Sequence, residues 1–182
     1  MAKYHISHSQ IESFLYCDKK WHFSYIEKLR NKELSIPPTT GSTLHKGLEE
    51  FYKIPVELRT KEVLMAACGI ELDAVEAYLI NKGRGNLWPE DEKKLLNIRS
   101  LVTRSAAEYW AVYGVDEEIP VSQTEVPASI EILPDLDMVI RIDGLIYLSG
   151  EPTLLEHKSM GEPDITGLEL FDTQTPRYMA LL

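Results

Sequence analysis

The chain has 182 residues, 44% of them hydrophobic, which is enough to bury one sizeable core, so we expect a single domain over residues 1–182. Its formal net charge of −10 argues, taken alone, against a partner as anionic as nucleic acid. No apolar run of about 18 residues and no charged-then-apolar leader occurs, so we expect neither a membrane-spanning nor a secreted protein. Two cysteines make no disulfide framework, and a reducing cytoplasm is the expected location.

The charge is unevenly distributed along the chain. Residues 1–46 hold seven Lys or Arg against four acids, whereas residues 115–182 hold three against fourteen. The basic residues of the first segment are interleaved with Trp21, Phe23 and Tyr25, and they include Lys19, Lys20, Lys28, Arg30 and Lys32. Two interpretations stay open for this segment: a solvated helix face with its aromatic side chains in the core, and a phosphate-binding surface.

The first 114 residues are predicted to be mainly helical, because cap residues, first-turn prolines and terminal glycines frame segments of helical period. The first helix begins at Ser7 or Ser9 and continues to about residue 29. A second, shorter helix begins near Gly41. The third and fourth helices begin at Thr60 and Pro89 and end at Gly83 and Gly114.

From residue 115 the hydrophobic pattern changes to the period of strands. "VSQTEVPASIEIL" (121–133) alternates, with Pro127 indicating a bulge or an edge position. "DMVIRIDGLIYLSG" (137–150) is predicted to be a strand interrupted by Asp-Gly, and "PTLLEHKSM" (152–160) a short buried strand. The last residues return to a helical pattern without a C-cap, which indicates that the natural chain continues or that a piece is missing. Residues 115–182 are therefore expected to form the mixed sheet of an α/β fold.

Acidic and basic side chains at the ends of these apolar strands indicate a metal site. Glu156 and Lys158 share one strand face, whereas the His157 side chain points away and only its carbonyl lies level with them. If the strands are neighbours, Asp143 converges on Glu156, and a carboxylate in an apolar run is costly unless it is paired or bound to a cation. Carboxylates, a carbonyl and water suit Mg²⁺ or Mn²⁺. Lys158 can orient or deprotonate a water and stabilise charge growing on phosphorus.

Each of these features also has an ordinary structural explanation. A Glu-x-Lys pair is usually a solvated salt bridge, and an Asp-Gly pair usually marks a hairpin turn. His45, one turn into the helix predicted to open near Gly41, is by itself more typical of a structural residue. Gln174 and Tyr178 lie four residues apart, a spacing that packing and a hydrogen bond also explain. Only the ordered combination is specific.

That ordered combination resembles the RecB-type branch of the PD-(D/E)XK nucleases. The set comprises Gly-x-x-x-His (Gly41 to His45), Glu125, Asp143, Glu156-x-Lys158 and Gln-x-x-x-Tyr (Gln174 to Tyr178). The branch includes the nuclease domains of bacterial recombination helicase-nucleases, the exonucleases of CRISPR adaptation and many phage-encoded exonucleases, and residues 141–159 are most similar to the phage-encoded members. The resemblance covers residues 7–182. It implies a restriction-endonuclease-like core, in which helices flank a mixed central sheet, together with a helical N-terminal part.

The resemblance also implies roles for these residues. The side chains of His45, Asp143 and Glu156 and the carbonyl of His157 would bind Mg²⁺ or Mn²⁺. Lys158 would be the catalytic lysine, acting with Asp143 and Glu156. Gln174 and Tyr178 would line the DNA path or brace the site. Glu125 would lie near the metal.

Two positions depart from the pattern of the family. Ile140 stands where a glycine is usual three residues before the motif aspartate, which we expect to affect strand packing more than chemistry. Cys17 occupies the place where iron–sulfur members of the branch carry their first cluster cysteine, but the other cysteine, Cys68, lies inside a predicted helix in another region. One cysteine cannot hold a cluster that normally has four ligands, so Cys17 is expected to be a buried apolar side chain unless a continuing chain supplies partners.

The sequence therefore predicts a divalent-metal-dependent deoxyribonuclease, acting as an exonuclease on DNA ends or single strands in recombination, repair or phage replication. Hydrolysis would leave a 5′-phosphate, as in the family. Lys19, Lys20 and the other basic residues of the first segment would contact phosphates, and the location would be the cytoplasm of a bacterium or of a phage-infected host. Two alternatives stay open: a non-cleaving DNA-end-binding module of the same fold, and an acidic interaction or inhibitory protein.

Overall fold

The computed structural model describes residues 3–29, 33–83, 85–114 and 121–157. In chain order its elements are β1 (Tyr4–Ser7), α1 (His8–Tyr16), α2 (Asp18–Trp21), a π-helical turn (His22–Ile26), α3 (Ile36–Tyr52), a 3₁₀ turn (Val56–Leu58), α4 (Lys61–Lys82), α5 (Pro89–Tyr113), β2 (Val121–Leu133), β3 (Leu136–Leu148) and β4 (Glu151–Leu155). This is an α/β fold with a mixed sheet, as predicted. None of the described helices combines the length and apolar character that a membrane span requires.

Residue contacts divide the described chain into two compact units. The first unit contains residues 3–29 and 125–142. The second contains the described residues of 33–124 and 143–157. The prediction of one domain over the whole chain stays a prediction.

The third and fourth predicted helices are confirmed, together with their caps. The Thr60 hydroxyl accepts a hydrogen bond of 3.3 Å from the Val63 N–H, and α4 ends at Gly83. Pro89 lies in the first turn of α5, where a backbone N–H would have no partner within the helix. Three acidic residues beside it interact favourably with the positive end of the helix dipole. Helix α5 ends before Gly114.

The first predicted helix is broken at Cys17, so the prediction of one continuous helix is wrong. Ser7 caps α1 as expected, in a capping box with Gln10. Cys17, however, has an extended backbone with φ −164° and ψ 111°. Asp18 is the first residue of α2; its carboxylate accepts the Lys19 N–H at 2.7 Å, and its negative charge favours a helix start there. The spacing of apolar residues continues across this break, which is why the sequence pattern did not reveal it.

The second helix begins earlier than predicted. Helix α3 starts at Ile36, and Pro37 and Pro38 lie in its first turn, where proline is tolerated. His45 therefore lies in the third turn of α3 instead of one turn from its start. The glycine at position 41 is an interior residue of the helix and was a misleading start signal.

The described strands form one mixed sheet in the order β1-β3-β2, with β4 also paired to β3. Strand β1, which sequence analysis missed, runs parallel to β3 with Tyr4 opposite Leu136. Strand β2 ends that order, as expected of a strand that contains Pro127.

The Asp-Gly pair does not interrupt β3, so that prediction is wrong. The chain reverses instead at Ser149 and Gly150, whose φ angles of 53° and 87° suit a two-residue hairpin turn. Strands β3 and β4 are antiparallel, with Gly144 opposite Leu155. Strand β4 is half-buried to exposed, whereas a buried strand was expected.

The core of the second unit lies among helices α3, α4 and α5. Apolar residues at helical spacing on α5 face this core, and the buried ones are Leu95, Ile98, Val102 and Ala106. Leu155, at the end of β4, packs against the same core. This contact holds the end of the hairpin beside the helices, which positions the residues that follow it.

Helices α3 and α4 lie close together at Gly47. A Cβ at this position would overlap the Cys68 Sγ and lie 3.1 Å from the Cys68 Cα. We expect Gly47→Ala to lower the free energy of unfolding by about 1–3 kcal/mol, because overpacking outweighs the gain of up to about 1 kcal/mol in helix propensity. Gly69→Ala, on α4 with nothing within 4 Å of its Cβ, is the matched control and should raise stability slightly. Urea unfolding of both variants measures this, and equal effects would contradict the close approach.

Candidate active site

The β3–β4 hairpin pairs Gly144 with Leu155, the residues next to Asp143 and Glu156. Strand β4 ends at Leu155, and one further step of the same register would set Asp143 opposite Glu156. This confirms that the two strands are neighbours, the condition on which the predicted convergence rests. The Glu156 Oε2 atom is buried from solvent.

Asp143 lies between two histidines. Its Oδ2 accepts a hydrogen bond of 2.8 Å from the backbone N–H of His157 and lies 3.4 Å from the His45 Nδ1 on α3. The side chains of Asp143 and His45 are only 14% and 27% exposed. Burial alone would raise the pKa of the Asp143 carboxyl, but the hydrogen bonds from His45 and the His157 amide outweigh it, with the charges of both imidazoles adding to them. The net pKa lies below the ordinary value, so Asp143 is an anion at neutral pH.

The imidazole of His157 lies inside an aromatic cage. Its ring is stacked on Tyr52 at 6.0 Å between centroids and 13° between planes, and it meets the edges of Tyr109 at 5.5 Å and His45 at 6.0 Å. Burial lowers the pKa of His157 to about 4, although Asp143 partly opposes this shift. His157 is therefore neutral at pH 7.

Sequence analysis missed the residues that form this cage. Tyr52 ends α3 and Tyr109 lies near the end of α5, and their hydroxyls share a hydrogen bond. Arg59 caps α3 by donating to the carbonyls of Tyr52 and Ile54, both at 2.9 Å, and its guanidinium lies 5.0 Å from the Tyr52 ring centre. Burial raises the pKa of Tyr52, and that of Tyr109 is raised by burial and then by the bond to Tyr52. Tyr109 continues the helical spacing of the apolar α5 residues, and that spacing does not indicate a polar partner.

Three predicted site residues lie outside the described residues: Lys158, Gln174 and Tyr178. Lys19 and Lys20 are exposed on α2 in the first unit. Two further basic residues of that segment, Arg30 and Lys32, also lie outside the described ranges.

Three other singled-out positions belong to the first unit. Glu125 lies in β2 at a φ of 50°, with its Oε2 at 3.4 Å from the Arg141 Nε. Ile140 is buried in β3, in line with a packing role. Cys17 is a half-buried free thiol between α1 and α2, less buried than expected. The metal-related role predicted for Glu125 stays a prediction.

Asp143 and His45 supply part of a donor set for a divalent cation. An ionised carboxylate faces an imidazole nitrogen, with a second carboxylate next in register, and Mg²⁺ and Mn²⁺ accept such oxygen and nitrogen ligands. Within the described ranges, no three His, Cys, Asp or Glu residues are grouped closely enough to hold a metal ion by themselves. The described residues therefore bring together two candidate ligands, His45 and Asp143.

The caged histidine predicts an acid-sensitive stability in metal-free protein. Because the pKa of His157 is about 4 in the folded chain and about 6.5 when unfolded, the unfolded state binds more protons between these values. The free energy of unfolding should fall as pH drops from 6.5 to 4, by at most about 3 kcal/mol. Asp143, with its lowered pKa, adds a loss only below its ordinary value of 3.8.

Urea unfolding at a series of pH values measures this dependence. His157→Phe should flatten it between pH 6.5 and 4, whereas His22→Gln, at a half-exposed histidine of the first unit, should leave it in place. An unchanged slope in His157→Phe would contradict the burial of a neutral imidazole.

Comparison with known proteins gives the family of the chain. A family model of the PD-(D/E)XK nuclease superfamily matches residues 5–182, nearly the whole chain. No curated protein and no solved structure matches the chain significantly. The mixed sheet and its helices are consistent with the restriction-endonuclease-like fold. The chain therefore belongs to the PD-(D/E)XK nuclease superfamily, a group of nuclease-type hydrolases that generally use divalent metal ions.

Proposed function

We propose that this chain is a Mg²⁺- or Mn²⁺-dependent deoxyribonuclease that acts as an exonuclease in DNA recombination, repair or phage replication. The observation that carries the proposal is the half-buried, ionised Asp143, which lies 3.4 Å from His45 on the strand that pairs with β4, the strand that Glu156 follows. The exonuclease activity and the pathway rest on the resemblance to the RecB-type branch and its phage-encoded members. The superfamily itself implies DNA and a divalent metal.

In this proposal, the side chains of His45, Asp143 and Glu156 and the carbonyl of His157 hold the cation. The bound ion would supply positive charge at the phosphate and a water of lowered pKa. Lys158, next to the end of β4 in the sequence, would stabilise negative charge that develops on the phosphate. The chain's own part is to keep Asp143 ionised at neutral pH, which the His45 imidazole and the His157 amide do.

The proposed DNA contacts lie in the first unit. Lys19 and Lys20 are exposed, and the Lys20 Nζ lies 5.4 Å from the ring centre of Tyr16, which is 83% exposed. A lysine beside an exposed aromatic ring suits a backbone phosphate next to an unstacked base. Gln174 and Tyr178 are proposed to line the DNA path or brace the site.

Removing one carboxylate charge should abolish cleavage. We expect Asp143→Asn to lower the rate of DNA hydrolysis in Mg²⁺ by more than about a hundredfold, because a direct ligand is lost while the amide oxygen can still accept the His157 N–H. The matched control is Asp137→Asn, which lies on the same strand, is 13% exposed against 14%, and has the same charge change. Asp137 pairs with Lys3 at 2.9 Å, and losing this pair should leave the rate near that of the parent.

End-labelled DNA incubated with Mg²⁺, with Mn²⁺ and with chelator measures these rates. Stepwise shortening from one end supports an exonuclease. Near-parental cleavage by Asp143→Asn would reject the carboxylate site, and binding without cleavage by the parent would favour a silent DNA-end-binding module.

The proposed phosphate contacts predict a change in the salt dependence of binding. Each phosphate contact contributes a slope of roughly −0.7 to log K against log salt on single strands, so reversing Lys19 and Lys20 to glutamate together should flatten the slope by about 1.4 and weaken binding to all sequences alike. The control is Lys93→Glu with Lys94→Glu on α5, which changes the charge equally. Fluorescence anisotropy in chelator, which prevents cleavage, gives the slopes. Equal slopes for both double variants would make α2 a solvated face.

A further inference from the structure

His157 contacts two proposed ligands of the cation site, although its ring is not itself a proposed ligand. Its imidazole lies nearly perpendicular to the ring of His45, with 6.0 Å between centroids. Its backbone N–H donates to the Asp143 Oδ2 at 2.8 Å. The position of this one residue therefore affects two ligands: His45 through a ring contact and Asp143 through an amide hydrogen bond.

The position of the His157 ring is in turn set by two tyrosines. Tyr52 stacks on one face of the ring with planes 13° apart, and Tyr109 meets it at 73° and 5.5 Å. The hydroxyls of Tyr52 and Tyr109 are hydrogen-bonded to each other, so the two tyrosines of the cage are directly linked. Since Tyr52 comes from α3 and Tyr109 from α5, the cage links two helices to the end of β4.

Tyr52 is itself held by Arg59 and Phe51. Arg59 donates through Nη2 to the Tyr52 carbonyl at 2.9 Å, and its guanidinium lies 5.0 Å from the ring centre. Phe51 is buried beside Tyr52 at 5.4 Å. A ring with neighbours of this kind cannot change rotamer without losing several contacts, which makes it a rigid support.

We propose that Tyr52 and Tyr109 are positioning residues of the cation site: they clamp the His157 ring and thereby fix the amide that orients Asp143 and the ring contact that orients His45. This inference rests on the proposed function. Neither tyrosine touches the cation or the phosphate; each acts only through His157. Groups that orient metal ligands typically change metal affinity by about 10–100-fold when removed.

The test measures Mn²⁺ affinity without DNA, by electron paramagnetic resonance of the free ion. His157→Ala empties the cage and should weaken Mn²⁺ binding by about tenfold or more. His157→Phe restores an aromatic ring and keeps the backbone N–H, so it should bind Mn²⁺ within about threefold of the parent. Tyr109→Phe, a milder variant that keeps the ring and removes only the hydroxyl, should lie between the two.

A control separates positioning from general stability. Leu79→Ala removes a buried side chain of α4 in the same unit, outside the helical core cluster that includes Tyr52. It should unfold at lower urea concentration and yet bind Mn²⁺ like the parent. Loss of affinity in Leu79→Ala equal to that in His157→Ala would overturn the proposal in favour of a purely structural role.

The remaining outcomes each test either the clamp or the metal site. His157→Phe as weak as His157→Ala would make the imidazole itself a ligand and overturn the clamp, as would parental affinity in both His157→Ala and Tyr109→Phe. Asp143→Asn in the same series distinguishes the two levels of inference. If Asp143→Asn loses affinity while the cage variants do not, only the clamp fails. If the parent binds no Mn²⁺, or Asp143→Asn binds it like the parent, the proposed metal site fails and the clamp with it.

Discussion

Helix α3 and the β3–β4 hairpin of the second unit meet at one half-buried carboxylate, Asp143. Asp143 lies in an apolar strand, where an isolated anion would be strongly destabilising, and the surrounding chain compensates for it. The His157 amide and the His45 imidazole both face its Oδ2 atom. These contacts require the β3–β4 register and the position of α3 to be correct at the same time. A slip of one residue in the hairpin would turn the carboxylate to the opposite face of the sheet, away from both partners.

The hairpin turn and the helical core set these two conditions separately. Ser149 and Gly150 adopt the positive φ angles of a two-residue turn, which fixes the register between Gly144 and Leu155. Helix α3 is held against α4 by the close contact of Gly47 with Cys68. The site thus joins a locally determined hairpin to a helix placed by tertiary packing. Cation binding would add a third restraint on the same carboxylate.

Sequence reasoning succeeded where the determinants are local and failed where they are not. Caps and prolines marked α4 and α5, and alternation gave β2 at its observed bounds. The pairing of β3 with β4, the strands that carry Asp143 and precede Glu156, could be anticipated because hairpin neighbours are close in sequence. The bond between Tyr52 and Tyr109 joins residues 57 positions apart, and no periodic pattern encodes such a meeting. Strand β1 has only four residues, too few for a recognisable alternation, and it is defined by its pairing with β3.

The contact between Gly47 and Cys68 has a consequence for chemical labelling. The Cys68 thiol is buried between α3 and α4, and burial raises its pKa to about 11, so both access and ionisation oppose its reaction with alkylating reagents. Modification of Cys68 therefore requires these helices to separate. Cys17 is half-buried in the first unit and is not subject to that opening. The rate at which Cys68 is alkylated in pulse experiments therefore reports how often the helices that carry His45 and Cys68 separate. The native thiols suffice for this measurement, without any engineered probe.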